Sequence, residues 1–164
     1  MKLLSHRIEE YLNKQLNQEL KNAYLYLSMA AFFDNLNLKG FSNYFKVQAK
    51  EELEHAMKIY EFIYNTEGKV ILYDIAKPRD NWNTIIEVIE DFYNAEIENT
   101  KRIYELVDIA KEENNKVVES FLKWFIDEQV EEISNASDLL AKIKFIGEQK
   151  NALIMLDSKL SERK

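Results

Sequence analysis

Apolar residues recur at steps of three and four along four long stretches of the chain. That spacing marks one face of an α-helix. The first stripe reads Ile8, Leu12, Gln15, Glu19, Ala23, Tyr26, Ala30, Phe33. The second reads Phe41, Phe45, Gln48, Glu52, His55, Ile59, Phe62. The third reads Ile85, Ile89, Phe92, Glu96, Thr100, Ile103, Val107. The fourth reads Val118, Leu122, Phe125, Gln129, Glu132, Ala136, Leu140, Ile143. The breakers fall between them: Gly40, Gly68, Pro78 and Gly147 are the only Gly and Pro residues. A first helix is predicted from about Ser5, as N-cap, to Asn35. A second runs from about Lys39 to Thr66, with Gly68 as its C-terminal cap. A third starts near Thr84, where Thr84 and Glu87 have the spacing of a capping box, and ends near Glu112. After a turn at Asn114-Asn115 a fourth runs to about Ile146. A short piece, Asn151 to Leu160, places Leu153, Leu156 and Leu160 on one side. Those leucines have no place in a four-helix core, so they read as a surface for assembly.

Link lengths set the topology. The first two helices, and the last two long ones, are joined by a few residues, so each pair is an antiparallel hairpin. The middle link, about Glu67 to Asn83, is different. A helix of about 27 residues is roughly 40 Å long, and a link of ~15 residues reaches up to ~50 Å when extended. It can travel the length of the bundle and leave the second and third helices parallel. The expected fold is all-α: a single domain over 1–164, a four-helix bundle with one long crossover and a short fifth helix.

Each stripe carries one carboxylate near its middle, and none carries a Lys or Arg. Two carboxylates ~4 Å apart at an effective dielectric of ~20 repel by roughly 4 kcal/mol. A whole domain is stable by only about 5–15 kcal/mol. Glu19, Glu52, Glu96 and Glu132 therefore need protons or metal ions. Ionised, they sum to −4, and two divalent cations sum to +4, so the charge count proposes a dinuclear metal centre. Glu52 and His55 stand at i and i+3 on one helix face, where both reach one ion. Carboxylates with one imidazole suit iron or manganese, and zinc can occupy them.

Composition narrows the rest. Hydrophobic residues make up 46% and charged residues 31%, an ordinary globular balance. With no Cys, thiolate-bound metals, disulfides and Cys nucleophiles are excluded. A net charge of −7 disfavours nucleic acid and favours cations. The first seven residues lack the apolar run of a signal peptide. No stretch approaches the ~20 apolar residues of a membrane span. The expected location is the cytoplasm, with no membrane partner.

Five segments together resemble the non-haem ferritins of bacteria and archaea over essentially the whole chain. They are Asn17-Gln18-Glu19-Leu20 with Tyr26, Glu51-Glu52-Leu53-Glu54-His55, Glu96, Phe121-Leu122-Lys123-Trp124-Phe125, and Glu128-Gln129-Val130-Glu131-Glu132. The resemblance implies a ferroxidase. Glu19, Glu52 and His55 would hold a first iron, with Glu52 bridging to a second held by Glu96 and Glu132, and Gln129 nearby. A third iron would use Glu51, Glu128, Glu131 and Glu132. Tyr26 would hydrogen-bond near the centre or donate an electron. Iron(II) would be oxidised by dioxygen or peroxide, and the ferric product stored in a homo-oligomeric shell of about 24 subunits. There are departures from the related bacterioferritins. No second Glu-x-x-His occurs at Glu128–Glu131, and Leu53 stands where their haem-ligating Met follows the Glu. Both favour the branch without haem. Ala95 replaces a His that some relatives carry before the Glu of the third helix, which removes no ligand.

Three other readings compete. Another di-iron carboxylate oxidoreductase or peroxide scavenger would usually carry two Glu-x-x-His motifs or a Cys-rich module. A DNA-protecting miniferritin would place its ligands on the first two helices, between subunits. A metal-free structural bundle would leave four buried acids unexplained.

Overall fold

Ser5 Oγ accepts the backbone N–H of Ile8 at 3.1 Å and opens α1, His6–Asn35. The computed structural model describes residues 2–164; Met1, first of the N-terminal residues read above, lies outside them. α2 spans Lys39–Asn65, α3 Ile85–Glu112, α4 Lys116–Ile146 and α5 Lys150–Leu160, with no strand among the described residues. Asn115 Oδ1 caps α4 through Val118 N–H at 3.1 Å. The start of α3 differs from a reciprocal capping box. Thr84 Oγ1 does accept from Glu87 N–H, but Glu87 Oε2 accepts from Asn83 N–H at 3.0 Å and pairs with Arg79. The expected cap at Gly68 also changes owner: the left-handed residue after α2 is Glu67, φ 62°. Gly68 is needed for room, since a Cβ there would lie 3.0–3.1 Å from Ile63 and Leu4.

Three-residue links make α1–α2 and α3–α4 antiparallel hairpins. Cross-helix bonds fix the rest. Arg7 pairs with Glu112, Tyr11 with Glu105, Gln15 with Asn99 and Tyr26 with Glu96. Position rises along α1 as it falls along α3, so these two are antiparallel and α2 is parallel to α3. The long link travels beside α1, as its length requires. Asn13 accepts Ile71 N–H at 2.7 Å and donates to Lys69 O, and Ser28 donates to Arg79 O at 2.6 Å. Trp82 then closes the link, buried, with its Nε1–H on Asp91.

The core is split. One apolar cluster holds Tyr26, Phe33, Phe41, Phe45, Phe92, Ala136 and Ile143. The other holds Ile8, Leu12, Leu16, Ile59, Ile103, Leu122 and Phe125. The four stripe acids fall between them along every helix, so two dry layers sandwich a polar one.

The fifth helix corrects one expectation. Leu156 is buried and Leu153 and Leu160 pack on the first cluster, so the leucine side covers the chain's own bundle. The exposed apolar residues there are Phe145, Ile154 and Met155. Gly40 explains the fit. It sits in the first turn of α2, and a Cβ on it would fall 1.6 Å from the carbonyl oxygen of Asp157. α2 has no side-chain cap of its own at Leu38. Asp157 Oδ1 supplies one, accepting Phe41 N–H at 2.9 Å, and its charge suits the positive end of the helix. Gly40→Ala is expected to lift α5 away, costing about 1–3 kcal/mol, and to speed amide exchange across 150–160. Unchanged exchange and an unchanged denaturation midpoint would contradict this packing.

Candidate metal centre

Glu19, Glu52, His55, Glu96 and Glu132 come from four helices and are all buried. Ligand atoms of Glu19, Glu52 and His55 lie within 4.8 Å of one another, as do those of Glu52, Glu96 and Glu132. Glu52 belongs to both groups. His55 Nδ1 is 3.7 Å from Glu52 Oε2 and 3.8 Å from Glu19 Oε2. The i, i+3 spacing on α2 thus aims Glu52 and His55 at the acid of α1.

Around this group, amides and one phenol fix the carboxylates from behind. Gln15 Nε2 donates to Glu19 Oε1 at 3.1 Å and to Asn99 Oδ1 at 2.8 Å. Asn99 Nδ2 also donates to Glu19 Oε1. Tyr26 Oη–H donates to Glu96 Oε1 at 2.6 Å. Gln129 Nε2 reaches Glu96 Oε2 at 3.3 Å and Thr100 Oγ1 at 2.9 Å. Gln48 Nε2 donates to Glu132 Oε2. What these donors leave is informative. Glu19 Oε2, both oxygens of Glu52 and His55 Nδ1 are buried with no hydrogen-bond partner among the described residues. A buried polar group without a partner costs a few kcal/mol, and here four such atoms converge. They form a donor set of oxygens and one imidazole nitrogen that fits a divalent first-row cation, with Glu52 placed to serve two ions. The supporting hydrogen bonds match the outer shell that orients metal ligands.

Protonation follows the same geometry. Burial, then the neighbouring Glu19 charge, holds the Glu52 carboxyl well above the ordinary range. Burial and the Glu96 charge push Glu132 up to about 8. Burial also raises Glu96, against the hydrogen bond from Tyr26. For Glu19 burial acts upward too, but Glu52 and His55 outweigh it and draw the group down. Burial opposes charge on His55, yet Glu19 raises it overall. Tyr26 is driven well up by burial and by Glu96, so its proton stays on. Glu52, Glu96 and Glu132 thus hold protons more tightly than ordinary carboxyls do, and a cation would compete with those protons.

The sequence-predicted outer residues divide. Glu128 Oε1 lies 3.7 Å from His55 Nε2, and His55, Glu128 and Glu132 form a third group within 4.8 Å. Burial raises the Glu128 carboxyl. Glu51 is turned instead to Arg163, 3.1 Å away. Glu131 is exposed and joins none of the three groups. Sequence reasoning assigned no role to Gln15, Gln48, Asn99 or Arg163. For the two glutamines a signal existed, because amides stood in otherwise apolar stripes beside the acids. Asn99 lies off the stripe, and Arg163 follows the last helix; neither carried one.

The family model of the ferritin-like domain matches residues 9–146. A bacterial non-heme ferritin of Staphylococcus aureus (strain USA300) is 37% identical over 161 residues, 98% of this chain and 97% of its own. The bacterial non-heme ferritin of Staphylococcus saprophyticus is 35% identical over 161 residues, 98% and 96% of the two chains. Among solved structures, a novel open pore ferritin from the hyperthermophilic archaeon Archaeoglobus fulgidus superposes with a TM-score of 0.98 at 45% identity, covering 100% of both chains.

Proposed function

Because the chain belongs to the ferritin-like domain family, we propose that it is a non-haem ferritin subunit that oxidises iron(II) at a di-iron centre and stores the ferric product. The observation that carries the reading is the convergence of unpartnered Glu19 Oε2, both Glu52 oxygens and His55 Nδ1. One iron sits among Glu19, Glu52 and His55. The other sits among Glu52, Glu96 and Glu132. Each iron(II) gives one electron to a single dioxygen. Two electrons and two protons convert it to hydrogen peroxide, which serves as oxidant in turn. Proximity supplies the rate advantage, because both reductants are already in place. The carboxylates stabilise the higher charge of iron(III). Tyr26 keeps Glu96 oriented through its hydrogen bond and stands where a phenol can donate an electron. Gln129 steadies the other Glu96 oxygen. A third iron would use Glu128 and Glu132, with Glu51 and Glu131 joining only by turning from the positions they hold here, Glu51 against Arg163 and Glu131 in solvent.

The product needs a container, and the reading places it in a shell of about 24 copies in the cytoplasm, with no haem. An exposed apolar groove between α1 and α2, lined by Leu20, Ala23, Tyr24, Leu27, Leu53 and Ile75, supports burial against another copy. No helix is long and apolar enough to cross a membrane.

The test is stopped-flow oxidation at two irons per subunit, with light scattering for the assembly. Glu96→Ala is expected to slow the first fast phase by at least about a hundredfold, the scale of losing a ligand's positioning. Glu131→Ala should leave that phase within about twofold of the parent and change later turnover. The reverse pattern would overturn the assignment of inner and outer sites. A monomeric or dimeric mass under native conditions would overturn the shell.

A further inference from the structure

We propose that Arg163 is a positioning residue that latches the outer edge of the metal centre and competes with a third cation for Glu51. The inference rests on the di-metal reading above.

Arg163 lies just beyond α5, yet its guanidinium makes four contacts on α2. Nη1 donates to Tyr44 O at 3.1 Å. Nη2 donates to Gln48 Oε1 at 2.9 Å and to Glu51 Oε2 at 3.1 Å. The guanidinium carbon lies 4.2 Å from the centre of the Tyr44 ring. The backbone is held too, since Asn43 Nδ2 donates to Arg163 O at 2.9 Å. This is a planar cation in a prepared seat, the arrangement for which a guanidinium is suited and an ammonium is not.

Two consequences follow for the centre. An amide has one acceptor end and one donor end. With Gln48 Oε1 taken by Arg163, its NH2 must face the other way, and there it donates to Glu132 Oε2. Arg163 therefore fixes the orientation of a metal-binding carboxylate through one intervening side chain. Glu51, meanwhile, already has a cation. Its Oε2 is engaged by the guanidinium, which leaves one oxygen for a third metal beside a competing positive charge; the ligands already together there are His55, Glu128 and Glu132. The ion pair is partly buried, with side-chain exposure of 20% and 34%, so solvent screens it only in part. Binding a third cation through both Glu51 oxygens thus requires the guanidinium to let go, and its charge opposes the ion even where one oxygen serves.

Zinc titration of the intact assembly, followed calorimetrically, tests this without oxidation. Arg163→Ala is expected to tighten the weakest zinc site by at least about tenfold, the scale of one charge-assisted hydrogen bond. It should leave the site of Glu19, Glu52 and His55 within about threefold, and weaken the site that includes Glu132 by at least about threefold, since Gln48 is no longer held against that carboxylate. In a Glu51→Gln background the same substitution should have little effect, because the competing pair is already gone. Arg163→Lys should restore only part of the latch, since one ammonium cannot span Gln48, Glu51 and Tyr44 O. In the unsubstituted protein, filling the weakest zinc site should accelerate amide exchange at residues 161–164. Equal weak-site affinity with and without Arg163 would overturn the latch. So would zinc saturation with exchange at 161–164 unchanged, an outcome that needs no variant to fold. If Glu52→Ala bound zinc as the parent does, the di-metal reading itself would fail, which is a separate result.

Discussion

Glu52→Ala is expected to remove most of the rise in melting temperature that iron(II) or zinc produces. Metal that binds only the folded state stabilises it by ~2.7 kcal/mol per site at a hundred times the dissociation constant. Two sites give about 5 kcal/mol, or roughly 10–20 °C for a domain of this size. Glu52 is the residue common to both ligand groups, so its loss weakens both ions, whereas Glu19→Ala or Glu96→Ala weakens chiefly one. Glu52→Gln separates charge from shape. In the metal-free protein burial and the Glu19 charge favour the uncharged form of Glu52, so the glutamine variant, which has the same shape and no charge, should melt within a few degrees of the parent. Its metal-induced rise should nonetheless be lost. Calorimetric melts with and without zinc decide the matter. Equal rises in parent and Glu52→Ala would rule out the bridging role.

Metal-free protein should lose stability as pH climbs from about 4.5 to about 8, the reverse of what most paired carboxylates produce. Glu52, Glu96 and Glu132 have folded-state affinities for protons above their ordinary ones. In that window the folded state therefore binds more protons than the unfolded state, and linkage makes stability fall with rising pH. The contribution is complete below the unfolded value and is lost as pH passes the folded one, about 8 for Glu132. Glu19 works in the opposite sense, since its proton affinity is lowered; its contribution is lost only as pH falls below about 4.5, outside this window. Glu132→Gln should flatten the slope and raise metal-free stability at pH 8 by about 2–4 kcal/mol. Bound metal should abolish the fall, and each zinc taken up near pH 7 should release protons into a weak buffer. Urea midpoints across pH 5–8 that rise steadily in the metal-free protein would contradict the proton-held centre.

Most of this molecule was legible as a pattern. Four stripes with steps of three and four gave the helices to within a residue or two, because long amphipathic helices bury one face and declare it. The acids were legible for the opposite reason: Glu19, Glu52, Glu96 and Glu132 break stripes that should be apolar. The crossover followed from length alone. What escaped depends on contacts between distant parts. Whether Glu87 bonds Thr84 or Asn83 is decided by a loop held in place by Arg79 and Trp82. Gly40 looked like punctuation, but its purpose is the backbone of Asp157, 117 positions away. The leucines of α5 looked like an outer surface because no count of four helices leaves them a partner. The three-residue turn into α5 folds that helix back onto α2. Asn99 was hidden because polar residues just off a stripe are usually solvated, and only the bundle's geometry aims it at Glu19.

The cap that Asp157 places on α2 also orders events during synthesis. Phe41 leaves the ribosome about 116 residues before the carboxylate that accepts its N–H. Until then the first turn of α2 has neither a side-chain acceptor nor the covering helix. α1 and the middle of α2 form a hairpin of local contacts, which close quickly. The opening turn waits on one of the last segments made. A chain stalled or cut before residue 157 would hold both hairpins and both apolar layers, yet its second helix would begin frayed. The opening turn of α2 therefore gains its cap only once the segment that carries Asp157 has been made.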